Sequence, residues 1–117
     1  MVTPCRVYDR DKIPEKGYVI LVDRLWPRGI KKSDLKTDEW LKDLAPSTGL
    51  RKWFGHDPDK WKEFKKEYRK ELKKKGELMQ RIKDLEKKHK RIILLYASKN
   101  IEHNHAVVLK KALDELE

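Results

Sequence analysis

Cysteine is almost missing from this 117-residue chain, with Cys5 the only one. A single thiol excludes an intramolecular disulfide and any C-x-x-C motif, and it fits a reducing cytosol. Long hydrophobic runs are missing as well. No apolar stretch approaches the roughly 20 residues needed to span a bilayer, and the N-terminus has no signal-peptide core. The expectation is a soluble, cytoplasmic protein with no membrane partner. Glycine is sparse, at five residues, and neither a Gly-rich phosphate fingerprint nor a G-x-S-x-G nucleophile elbow occurs. Gln occurs once and Asn twice.

Charge is abundant. Charged residues make up 43% of the chain, 30 Lys+Arg against 20 Asp+Glu, for a net charge of +10. Together with the scarcity of amides this is a thermophile-like composition, in which Lys and Glu rise. The excess is uneven: Pro58 to Arg91 contain 15 basic and 7 acidic residues, whereas Met1 to Asp57 contain 12 and 9. The length suits a single domain over residues 1–117 that buries its core without staples.

Two continuous aliphatic runs, Tyr18 to Asp23 and Arg91 to Ala97, predict buried strands. Cys5 to Asp9 predicts a weaker third strand. Gly17 marks a turn before the second strand, compatible with a hairpin or a parallel arrangement. Thr37 is placed to cap a helix over Asp38 to Ala45 with Trp40, Leu41 and Leu44 inward. Ser47 is placed to cap Thr48 to Phe54, with Gly55 ending that helix. Asp57 with Pro58 then opens a longer helix, in which Trp61, Phe64, Tyr68 and Leu72 make one inward face. Gly76 interrupts it, and Leu78, Met79, Ile82 and Leu85 continue the pattern to about Lys88. Asn104 is placed to cap a last helix carrying Ala106, Leu109, Leu113 and Leu116. Two apolar strands separated by a helical crossover indicate an α/β fold, a short, mostly parallel sheet flanked by helices.

Parallel strands would bring the ends of both apolar runs to one edge, where open sheets bind ligands. Asp23, Arg24, Trp26 and Arg28 follow the first run; Ser98, Lys99, His103, Asn104 and His105 follow the second. Arg24 and Arg28 offer planar forks suited to phosphate or carboxylate, and Gly29 lets backbone N–H groups approach an anion. The bland alternative is that Asp23 bridges to an arginine while Trp26 and Pro27 pack a turn. His56 beside Asp57 has the composition of a general base with a carboxylate neighbour, or of a turn residue beside a cap. His103 and His105 flank the capping Asn104, so neither H-E-x-x-H nor an HNH nuclease signature is present, and no metal site is expected. No motif specifies a cofactor. Lys62, Lys66, Arg69 and Lys73 form a basic stripe beside the apolar face of the middle helix, which is either a solvated face or a track for nucleic-acid phosphates.

The blocks "LVDRLWPRG", "LKDLAPST", "LRKWFGHDP" and "HNHAVVL" resemble the domain-of-unknown-function family 488 in its YeaO-like branch, in this order and over nearly the whole chain. The resemblance implies a shared polar site from Asp23, Arg24, Trp26, Pro27, Arg28 and Gly29, then Pro46 and Ser47, then Trp53 to His56 with Pro58, and last His103, Asn104 and His105. Other branches of the family place a cysteine and a Cys-His-Arg run near the last strand and helix. Here Tyr96-Ala97-Ser98 and His103-Asn104-His105 stand in that region, which argues against a cysteine-dependent mechanism. The resemblance names no reaction.

The resulting expectation is a polar pocket for a phosphate-bearing or nucleotide-like molecule, in a small enzyme or a ligand-binding protein. As an enzyme it would use His56 or His103 for proton transfer and Asp23 to orient it. Arg24 and Arg28 would anchor the anion, with Trp26, Asn104 and His105 on the substrate side. The alternative is a nucleic-acid-binding protein using the stripe from Lys62 to Lys73.

Overall fold

The two aliphatic runs become neighbouring strands of an all-parallel sheet in the computed structural model, which describes residues 1–13 and 16–116. The four strands are β1 (Val2–Arg6), β2 (Tyr18–Leu21), β3 (Glu39–Trp40) and β4 (Ile92–Tyr96), in the order β1-β4-β2-β3. The last strand is inserted between the first two, so Ile92 pairs with Val2 on one side and Tyr18 on the other. β1 and β2 are therefore parallel and are not a hairpin. Every residue of β4 is buried, because both faces of the sheet are covered.

Residues alternate between two cores with the period of two that a pleated strand imposes. Ile20, Val22, Ile92, Leu94 and Tyr96 face the larger core; Val19, Leu21, Ile93 and Leu95 face the smaller. All four α-helices, α1 (Thr48–Phe54), α2 (Trp61–Lys73), α3 (Gly76–His89) and α4 (His105–Asp114), bury side chains in the larger core. Among the described residues no α-helix covers the smaller core. Val7, Leu35, Trp26, Ile30 and Trp40 close it from the loop after β2, from short 3₁₀ turns and from β3.

Several local expectations hold. Ser47 Oγ accepts from Leu50 N, and Gly55 ends α1 in the left-handed region at φ 50°. Asp57 accepts from Asp59 N ahead of Pro58, and Asn104 accepts from Val107 N to start α4. Leu116 lies beyond α4 but still packs on the larger core.

Two expectations are corrected. Residues 38–45 are not a helix capped by Thr37: Glu39–Trp40 form an edge strand on β2 and Lys42–Leu44 a 3₁₀ turn. Tertiary partners outbid the helical pattern, since Asp38 Oδ2 accepts from Val19 N at 2.7 Å and Trp40 Nε1 donates to the Asp23 carbonyl at 2.7 Å. The first strand runs Val2–Arg6, not Cys5–Asp9, and Val7–Lys12 is 3₁₀. Pro4 obscured it, although β1 is an edge strand, where a missing N–H is tolerated. Cys5 is correspondingly half-buried.

Candidate functional site

Because β2 and β4 are adjacent and parallel, their loops leave the same edge of the sheet. The β2 loop folds over the smaller core, while the chain after β4 turns to α4 on the helical face. Neighbouring strands whose connections part in this way leave a crevice at their carboxyl ends. A cleft of about 790 Å³ lies there, within the range of small-ligand sites. Asp23, Arg24, Trp26, Arg28, His56, Lys99, His103, Asn104 and His105 all line it.

Asp23 ties the two loops together. Its Oδ2 accepts from Ala97 N at 2.9 Å, across the β2–β4 junction. His105, at the first position of α4, places Nε2 3.0 Å from the Val22 carbonyl and 3.0 Å from Asp23 Oδ1. Two acceptors facing one ring nitrogen require that Nε2 carry the hydrogen. The hydrogen-bond geometry favours Val22, and Oδ1 is left with no hydrogen-bond donor among the described residues. Asp23 therefore forms no bridge to an arginine.

Arg24 runs under the Ala45–Pro46 turn. One terminal nitrogen makes a long 3.4 Å contact to the Ala45 carbonyl, and the buried Nε has no partner among the described residues. Lys75 approaches from α3's N-terminal side and donates to the carbonyls of Asp43 and Ala45. Burial pushes the Lys75 ammonium below its ordinary value; the Arg24 guanidinium adds to this, and Glu71 and Asp43 oppose it. Glu71 in turn accepts from both Ser47 N and Ser47 Oγ, at 2.8 and 2.6 Å, which fixes the start of α1. Tyr68, fully buried, donates to the Leu44 carbonyl at 2.5 Å. Burial and the Glu71 and Asp23 carboxylates raise its phenol, so it remains a neutral donor.

The other candidates divide into held and free groups. Trp26 packs edge-on against Trp40 at 5.6 Å and donates Nε1 to the Ile30 carbonyl, so its polar atom is occupied. Asn104 is 3% exposed; it caps α4 and donates to the Asn100 carbonyl. His103 is half-buried and stacks on Trp61 at 4.7 Å. Arg28 and His56 are exposed at the rim, and His56 sits at φ 59°, an uncommon backbone setting for a residue with a Cβ. Asp57, beside it, is spent on its cap.

Sequence reasoning missed Tyr8 and Arg51. Tyr8 enters through the 3₁₀ turn after β1 and donates to the Arg28 carbonyl at 2.9 Å. Arg51 stands three residues before Phe54 on α1, and that spacing puts both on one helix face. The pairing was readable; its direction was not. Among the described residues no three His, Cys, Asp or Glu side chains group closely enough to share a metal ion. On α2, Lys62, Lys66 and Lys73 are exposed and Arg69 pairs with Glu115 at 2.9 Å. Among the described residues no helix is long and apolar enough to cross a membrane.

A family model described as "Inactive DUF488-N3 subclade" matches residues 1–117. The chain belongs to the DUF488 family. This DUF488 chain is 47% identical over 111 residues to "Uncharacterized protein YeaO" of Escherichia coli, covering 95% of each. It is 37% identical over 115 residues to "Uncharacterized protein Rv3073c" of Mycobacterium tuberculosis, covering 97% of this chain and 93% of the relative. No solved structure matches it. The resemblance in the four sequence blocks is thus borne out at the level of family and YeaO-like branch. Cys5, the single thiol, lines a separate hollow beside Tyr96 and Ile101 and is not part of this cleft.

Proposed function

We propose that this protein binds a phosphate-bearing small molecule in the cleft at the carboxyl edge of its sheet, as a binding protein in preference to an enzyme. One observation carries the reading. The two buried side-chain atoms without a hydrogen-bond partner among the described residues are Asp23 Oδ1 and Arg24 Nε, on consecutive residues that both line the cleft. Leaving such an atom unpaired costs about 1–3 kcal/mol, and more for a charged group, a penalty that His105 Nε2 at 3.0 Å offsets in part for Asp23 Oδ1. A ligand that supplies one acceptor oxygen and one O–H or N–H group removes both penalties.

Charge supports an anion. Arg24, Arg28, Arg51 and Lys99 line the cleft against the single carboxylate of Asp23. Guanidinium groups recognise phosphate through paired N–H donors. The family's description as inactive, and the position of the only thiol outside the cleft, favour binding without chemistry. Proton transfer by His56 or His103 has less behind it, since neither has a carboxylate partner among its described contacts.

A thermal-shift comparison of wild type and Arg24→Gln with orthophosphate, pyrophosphate and sugar phosphates tests this. A ligand bound only by the native state raises the melting temperature. The expected result is an upward shift of several degrees at saturating ligand, absent in the variant. Equal shifts in both proteins would detach the anion from Arg24. No shift with any anion, accompanied by salt-sensitive binding of an oligonucleotide, would move the function to Lys62, Lys66 and Lys73 on α2.

A further inference from the structure

We propose that the occupant of the cleft is a nucleoside phosphate, with its base laid against the ring of His103. The proposal rests on the reading of the cleft as an anion site and names the part of the ligand that the cations do not hold. The observation behind it is a run of near-parallel rings through the helical layer. Phe54 stacks on Phe64 at 4.3 Å and 22°, Phe64 on Trp61 at 5.7 Å and 22°, and Trp61 on His103 at 4.7 Å and 20°. His103 ends this run and lines the cleft, as Phe54 and Phe64 do, whereas Trp61 behind it does not. The His103 ring is backed by Trp61 on one side. Among the described residues His103 has no second stacked ring.

These rings are set before a ligand arrives. Phe64 is 2% exposed and backs Trp61, on which His103 stacks, so core packing fixes these planes and little side-chain entropy remains to be lost on binding. A flat π-system is the group that such a surface accepts without demanding a hydrogen-bond pattern. The size agrees: about 790 Å³ is far more than orthophosphate fills and suits a ligand of nucleotide dimensions. The unpaired atoms agree as well. Arg24 Nε needs a phosphate oxygen, and Asp23 Oδ1 needs a donor such as a ribose hydroxyl, which pyrophosphate lacks.

Calorimetric titration of wild type, His103→Ala and His103→Phe with four probes decides the matter. The probes are pyrophosphate, ribose 5-phosphate, adenosine 5′-monophosphate and a 5′-phosphorylated single-stranded oligonucleotide. Base–aromatic stacking at the strength seen in strand-binding proteins makes the mononucleotide bind about tenfold tighter than ribose 5-phosphate. His103→Ala should cut that margin severalfold and His103→Phe restore it, with pyrophosphate and ribose 5-phosphate indifferent to both changes. Melting curves of the variants confirm that each is folded. Ribose 5-phosphate binding as tightly as the mononucleotide, or a margin untouched in His103→Ala, overturns the proposal and leaves the anion site standing. An oligonucleotide binding more than tenfold tighter than the mononucleotide assigns the cleft to a strand end and overturns the free nucleotide. If no probe binds, the anion reading falls too.

Discussion

At Asp23 and Arg24 the backbone leaves a buried strand, and the two side chains behave unlike the other buried polar groups described. Tyr68, Asn104 and Trp26 all find partners within the chain; Asp23 Oδ1 and Arg24 Nε do not. The identity of both residues, and their place after an apolar run, were legible in the sequence. Their unpaired state was not, because it depends on Ala97, His105 and Ala45, which stand 21 to 82 positions away in sequence and come close only through the sheet. Tyr68 gives a contrasting test of a purely structural group. Tyr68→Phe leaves the buried Leu44 carbonyl without its donor and should cost about 1–3 kcal/mol. Urea unfolding should show a lower midpoint at unchanged slope, with phosphate binding intact. A midpoint equal to wild type would mean that the carbonyl is satisfied in another way.

Among the elements, α1 shows how capping and tertiary contact combine. Ser47 Oγ accepts from Leu50 N at 3.2 Å and donates to Glu71 on α2, so one hydroxyl starts a helix and docks it. Ser47→Ala should lose about 1 kcal/mol of stability, the ordinary worth of an N-cap, because Ser47 N keeps its bond to Glu71. Denaturation of Ser47→Ala beside Ser47→Thr, which keeps the hydroxyl, separates the cap from mere packing. Equal stability of all three would mean that the cap contributes nothing. Caps at Ser47, Asp57 and Asn104 were legible because each acts within three residues of itself. Residues 38–45 were misread because Trp40, Leu41 and Leu44 have helical spacing, whereas the decisive bonds run to Val19 and Asp23.

For the molecule as a whole, acid should loosen the joints between its ends and its helices. Glu39 accepts from Arg81, which holds its carboxyl below the ordinary value of 4.5, and a hydrogen bond from Tyr18 acts the same way. Glu86 is lowered first by the N-terminal ammonium of Met1, at 2.6 Å. In both cases the folded state binds protons more weakly than the unfolded chain. Their stabilisation is therefore present above about pH 4.5 and is lost as pH falls toward the depressed folded values. Urea midpoints between pH 7 and pH 3 should fall, and Glu39→Gln should flatten part of that dependence. A variant with the wild-type pH profile would remove this pair from the account. Added salt should weaken these exposed bridges, since Arg81 lies open to solvent.

By itself the sequence determined the cores of β2 and β4, the caps at Ser47, Asp57 and Asn104 and which functional groups the loops carry, because period, caps and functional groups are local properties of neighbouring residues. It also carried the family, through four short blocks in order. The tertiary structure decided that β4 enters between β1 and β2 and that Glu39–Trp40 extend the sheet. It also decided that Arg51 and Tyr8 reach the same cleft as Arg24, and that His103, stacked on Trp61, lines that cleft. These facts depend on which distant surfaces bury each other. Burial free energy is summed over the folded chain, so no short window of residues contains it.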